Sequence, residues 1–159
     1  DALGKAASKP VIRPLSSVIN PVFLIEAKAN IPEIMSSLGA KSKDSIAKIR
    51  QSLEETRKYL RCKDCELWVK GFYQYVNRLA HLHFLRNICG VDAYLVFVYF
   101  LNDPTHIPTT RQQWAGALEL QKSLLGLKKY RLRSYVVEIF IDVNYLRDLP
   151  SFCHELKNP

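Results

Sequence analysis

Apolar and polar positions along this chain alternate between two rhythms, one of period two and one of about 3.6. Val22 to Ala29 is apolar except for Glu26 and Lys28 and reads as a strand. Lys43 to Arg61 places Ile46, Ile49, Leu53 and Leu60 on one side. Lys48, Arg50, Glu54, Arg57 and Lys58 supply a charged face, the pattern of an amphipathic helix with Ser42 at its N-cap. Val69 to Ile88 predicts a second, more apolar helix ending at Gly90. Asp92 to Leu101 is apolar on both faces, which suits a central strand, and Asn102-Asp103-Pro104 closes it as a turn. Thr109 or Thr110 caps a third helix through Trp114, Leu118 and Leu124 to a stop at Gly126, and Val136 to Val143 is the last strand. Between the first strand and the first helix, Asn30 to Ser42 is a loop or short helical segment. Upstream, Pro10, Pro14 and Pro21 disfavour a helix, and Val11-Ile12 can begin a short strand. Strands alternating with helices predict one α/β domain over residues 1–159, a mixed sheet flanked by helices.

Composition sharpens the partner more than the fold. Lys plus Arg is 23 against 15 Asp plus Glu, a formal net charge of +8. A pI near 9.4 favours polyanionic partners, nucleic acid ahead of an acidic membrane surface. The longest apolar run, Ala93 to Leu101, is far short of the roughly 20 residues that span a bilayer. No signal-peptide pattern opens the chain, so a cytoplasmic protein without a membrane partner is expected. The first residue is Asp1 rather than Met, which predicts a fragment or processed product whose first elements lie upstream.

Candidate chemistry centres on the first strand. Glu26 and Lys28 are two apart and share a face, while Phe23, Ile25 and Ala27 share the other. Charges on such a strand are costly to bury without partners or a metal. The plainer reading is an edge-strand pair that keeps the sheet soluble. Glu33 is either a further acidic ligand or a helix-start carboxylate.

In the second helix Gln74, Asn77, Arg78 and His81 are spaced i, i+3, i+4 and i+7, with Phe72, Tyr73, Val76, Leu79, Ala80 and Phe84 expected to pack inward. The stripe either lines a cleft, with Gln74 and Arg78 reaching a phosphate, or is a partly solvated network. His81 and His83 point to opposite sides and cannot readily share an ion. Cys62-Lys63-Asp64-Cys65 lacks the second pair a structural zinc needs, and with Cys89 and Cys153 it reads as reduced thiols. Lys128, Lys129, Arg131 and Arg133 surround Tyr130, a set suited to pairing phosphates and stacking on a base, or to a solvated helix exit.

Four segments taken together carry a family likeness. They are Asp1-Ala2-Leu3-Gly4, Ile25-Glu26-Ala27-Lys28-Ala29, Phe72-Tyr73-Gln74-Tyr75-Val76-Asn77-Arg78-Leu79-Ala80-His81, and the stretch from Gly90 to Phe100. With the Trp114 helix and the final strand, the chain resembles the PD-(D/E)XK nuclease superfamily, specifically an uncharacterised bacterial branch of it. The resemblance implies a restriction-endonuclease-like fold seen without its first elements. It implies Asp1 and Glu26 as ligands of Mg²⁺ (or Mn²⁺), helped by the Ala27 carbonyl. Lys28 would orient or activate the attacking water, which makes Asp1, Glu26 and Lys28 the catalytic set. The implied reaction is phosphodiester hydrolysis in nucleic acid, DNA first. The alternative is a non-catalytic nucleic-acid- or protein-binding domain on the same fold. Homodimer formation is open.

Overall fold

The computed structural model describes residues 20–63 and 66–147. In chain order, β1 (Val22–Lys28) leads through a 3₁₀ turn (Ile31–Ile34) to β2 (Ser36–Ser37) and α1 (Lys43–Leu60). A second 3₁₀ turn (Glu66–Trp68), β3 (Lys70–Gly71) and α2 (Tyr73–His83) follow, and α2 runs into a π turn (Phe84–Ile88). The chain finishes with β4 (Ala93–Leu101), α3 (Arg111–Leu124), β5 (Val136–Asp142) and α4 (Val143–Arg147). Asp1, Val11-Ile12, Asp64, Cys65, Cys153 and a second Glu-x-Lys at Glu155-Leu156-Lys157 lie outside the described residues.

The main sheet has the order β1-β4-β5, and both pairings are parallel. The expected α/β layering of sheet and helices is present, and among the described residues antiparallel pairing is found in the small β2–β3 ladder rather than in the main sheet. Crossovers explain this, because helical segments return the chain to the same end before each new strand. β4 is central, as its two apolar faces predict.

Helix ends follow local chemistry. Arg61 turns into the left-handed region at φ 62° to end α1, and its N–H donates to the Arg57 and Lys58 carbonyls. Thr110 and Gln113 exchange side-chain and backbone hydrogen bonds as a capping box at the start of α3. α2 begins at Tyr73 rather than Val69, because Lys70 and Gly71 pair with Ser37 and Ser36. Gly71 reaches φ 136° there, a conformation other residues adopt only with strain.

The core lies between α2, α3 and one face of the sheet. Val76, Leu79 and Leu82 of α2 meet Leu95, Phe97 and Tyr99 of β4, with Trp114 and Leu118 from α3. Trp114 is fully buried, packs on Tyr99, and donates its Nε1–H to the Phe100 carbonyl at 2.8 Å. Phe84, expected inward, is exposed instead, since the chain leaves the α-helix there. The opposite sheet face carries Phe23, Ile25, Val137 and Ile139, all exposed among the described residues. No helix among these residues is long and apolar enough to cross a membrane.

Candidate active site

Glu26 and Lys28 lie on the β1 face that turns toward α2, in register with Phe97 and Tyr99 of β4. Their side chains are 13% and 12% exposed, so this pair does not present its charges to solvent as a solubilising edge would. Lys28 Nζ lies 2.9 Å from Glu26 Oε1, and Arg78 Nε donates to Glu26 Oε2 at 2.7 Å. Lys28 also donates to Gln74 Oε1 at 2.6 Å. The first turn of α2 is held in place by Gln74 N–H donating to Ser36 Oγ at 2.9 Å. Gln74 and Arg78 sit one turn apart on α2, so the polar stripe meets β1 at its first and third positions.

Burial acts to raise the Glu26 carboxyl, but the hydrogen bonds and charges of Lys28 and Arg78 together outweigh it. The group ends below its ordinary value of 4.5 and stays ionised at neutral pH. The result is a carboxylate clamped between two cations, with an ammonium at the mouth of a small cavity.

Behind the pair the cavity is walled by Ile34, Gln74, Tyr75, Phe97, Tyr99 and Gln121. Gln121 is 1% exposed, and its Oε1 has no hydrogen-bond partner among the described residues. The Tyr75 hydroxyl is likewise unpartnered, beside Tyr130 but outside hydrogen-bonding geometry. Burial pushes the Tyr75 and Tyr99 hydroxyls well up, so both are neutral at physiological pH. A second ion pair lies on the same sheet face, Glu138 with Lys122 at 2.6 Å, and Phe97 separates it from Glu26 in the row.

The other expected residues separate into groups. Asp1 lies outside the described residues, and Ala27 follows Glu26 in β1. Glu33 closes the turn after β1, accepting from Ala29 N–H at 3.1 Å and from Asn30 Nδ2 at 2.8 Å, which is the helix-start role. The loop with Lys128, Lys129, Arg131 and Arg133 precedes β5, at the opposite end of the strands from Lys28. Within it Lys128 pairs with Glu119, Arg131 lies 5.2 Å over Tyr59, and Arg133 donates to the Val136 carbonyl. Tyr130, expected to stack on a base, is buried in the core, where burial pushes its hydroxyl up to about 12. Gln121 and Glu138 were missed by sequence reasoning. Gln121 had a signal: it continues the buried row of Trp114 and Leu118 at helical spacing, a polar residue in an apolar stripe.

Among the described residues no group of three or more His, Cys, Asp or Glu is placed to hold a metal. Glu26 remains a hard oxygen donor, and Arg78, 38% exposed, is the partner able to leave it. Comparison of the chain with protein-family models, curated proteins and solved structures gives no match.

Proposed function

We propose that this domain hydrolyses phosphodiester bonds in nucleic acid, DNA first, with a divalent metal. One observation carries the reading: Glu26 and Lys28 share a sheltered face at the carboxyl end of a parallel strand, 2.9 Å apart. In open parallel sheets, ligands bind outside that end of the strands. The Lys28 ammonium is placed to orient a water or to neutralise charge on a phosphate oxygen. Glu26 would contribute to a Mg²⁺ site, since that ion needs only one or two carboxylates and keeps several waters. Asp1 and the Ala27 carbonyl complete the set implied by the family resemblance. Bound there, the ion would lower the pKa of a coordinated water and stabilise the phosphate.

A second reading has its own observation. Both Glu26 oxygens are already occupied by cations, which favours a non-catalytic binding module whose ion pair is structural. The experiment is cleavage of labelled single-stranded and duplex DNA with added Mg²⁺ or Mn²⁺, comparing wild type with Lys28→Ala. Metal-dependent cutting by wild type alone, with an unchanged circular dichroism spectrum in the variant, supports the hydrolase. Binding without cutting makes it a binding module. Full activity in Lys28→Ala removes Lys28 from the chemistry.

A further inference from the structure

The stripe on α2 continues past the residues engaged by β1. Asn77, Ala80 and His81, with Phe84 just beyond α2 and Ser52 of α1, line an open groove of about 310 Å³. Its chemistry is specific. Phe84 is 53% exposed and offers an aromatic surface. The Asn77 side-chain amide, which can both donate and accept, has no partner among the described residues. His81 Nδ1 sits 2.7 Å from the Asn77 carbonyl oxygen, which can only accept, so Nδ1 carries the proton. In the neutral ring Nε2 then presents a lone pair. None of the described residues lining the groove is acidic.

An aromatic surface, an amide and an imidazole acceptor match a flat ring with polar edges. Asn77 and His81 each follow Gln74 and Arg78 by three residues, about 4.5 Å along the helix axis. That offset lies between one and two stacked nucleotide steps of about 3.4 Å. Farther along α1, Tyr59 stacks on His83 at 4.4 Å and carries Arg131 over its ring, which puts a cation beyond the groove.

We propose that this groove seats one unstacked nucleobase of a single-stranded nucleic acid, beside the phosphate that the Lys28 ammonium would hold. The inference rests on the nucleic-acid reading above and narrows it to single strands or frayed ends. A paired base has neither its face nor its edge free for such a site. Stacking on Phe84 tolerates any base, so strand form rather than sequence is what the groove selects.

Fluorescence anisotropy tests this with the full chain, using labelled single-stranded and duplex oligonucleotides of one sequence, in EDTA so that nothing is cut. Wild type should prefer the single strand, and Phe84→Ala should weaken that binding by about 5- to 150-fold, the range of base stacking on an aromatic side chain. An abasic residue at the seated position should cost wild type a similar factor and cost Phe84→Ala nothing further. Phe84 is mostly exposed, so an unchanged melting temperature is expected and confirms that the variant folds. Tight single-strand binding that ignores both Phe84→Ala and the abasic scan overturns the groove while leaving the nucleic-acid reading intact. Equal affinity for duplex also overturns it. No binding of either oligonucleotide by wild type removes the nucleic-acid reading itself.

Discussion

Replacing Glu26 with Gln removes the negative charge that two cations share. Gln keeps the volume but offers one carbonyl acceptor to donors that arrive at both carboxylate oxygens, from Lys28 at 2.9 Å and Arg78 at 2.7 Å. Its amide N–H₂ then opposes one of them. A desolvated charge-assisted hydrogen bond contributes about 1.5–3 kcal/mol, and an exposed ion pair about 0.2–1 kcal/mol. Lys28 is 12% exposed and belongs near the lower end of the first range, whereas Arg78, 38% exposed, recovers water and belongs to the second. The sum is about 2 kcal/mol, a fall of about 4–8 °C in melting temperature for a chain of this size.

The same pair sets a pH dependence whose sign is determined. Burial raises the Glu26 carboxyl and its two cations lower it further than burial raises it, leaving it below 4.5 in the fold. A carboxyl depressed on folding contributes stability above its unfolded pKa and loses that contribution as pH falls through the folded one. The difference in melting temperature between wild type and Glu26→Gln should hold from neutral pH down to about 4.5 and narrow below it. Circular dichroism melts across that range measure both quantities. No difference at pH 7 would refute the ion-pair energy, and a difference constant into acid would refute its dependence on charge.

Other perturbations address neighbouring parts of the argument. Arg78→Met frees Glu26 Oε2, so Mn²⁺ affinity, followed by electron paramagnetic resonance, should rise by about fivefold, the equivalent of ~1 kcal/mol. Unchanged or weaker Mn²⁺ binding would show that Arg78 does not compete for that oxygen. Trp114→Phe leaves the Phe100 carbonyl without its donor and opens space in a fully buried site, a cost of about 2–3 kcal/mol in urea denaturation. In Gly71→Ala the new Cβ would meet Leu67 Cδ2 at 3.4 Å, the Leu67 carbonyl oxygen at 3.8 Å and Met35 Cε at 3.9 Å, all ordinary contacts, so its expected cost of about 1–3 kcal/mol comes from the backbone at φ 136°. A neutral Gly71→Ala would mean that the β2–β3 ladder adapts.

The three strands of the main sheet were legible in the chain because each obeys one simple pattern, whereas the two-residue β2 and β3 carry no such pattern. Nine consecutive apolar residues from Ala93 to Leu101 describe a strand with neighbours on both sides, and β4 is central. Strand direction was not legible, since a run of side chains looks the same in a parallel or an antiparallel sheet. Only the crossovers decide it. The start of α2 was hidden for another reason: apolar periodicity runs unbroken through Lys70 and Gly71, whose pairing partners are the distant Ser37 and Ser36. The open face formed by Phe23, Ile25, Val137 and Ile139 is equally invisible in sequence, because the residues themselves are ordinary strand formers.

The site was half legible, and the missing half shows what local patterns cannot carry. Period two placed Glu26 and Lys28 together, and helical spacing placed Gln74 with Arg78, but nothing local states that those two faces meet across 52 residues. The clue available was energetic. Glu26 in β1, Gln121 in α3 and Glu138 in β5 each interrupt the apolar pattern of their own element, and each is costly to bury alone. Separate burial of all three would be three unrelated penalties. Placing Glu26 and Glu138 on one sheet face, with Lys28, Arg78 and Lys122 to balance them, turns two of those penalties into satisfied ion pairs. Gln121 remains the exception, its Oε1 buried and unpartnered in the cavity behind Glu26 and Lys28. Natural sequences break local rules chiefly where function requires it. The uncompensated violation therefore points to the cavity that Glu26 and Lys28 also line, by a route that owes nothing to the Glu-x-Lys spacing.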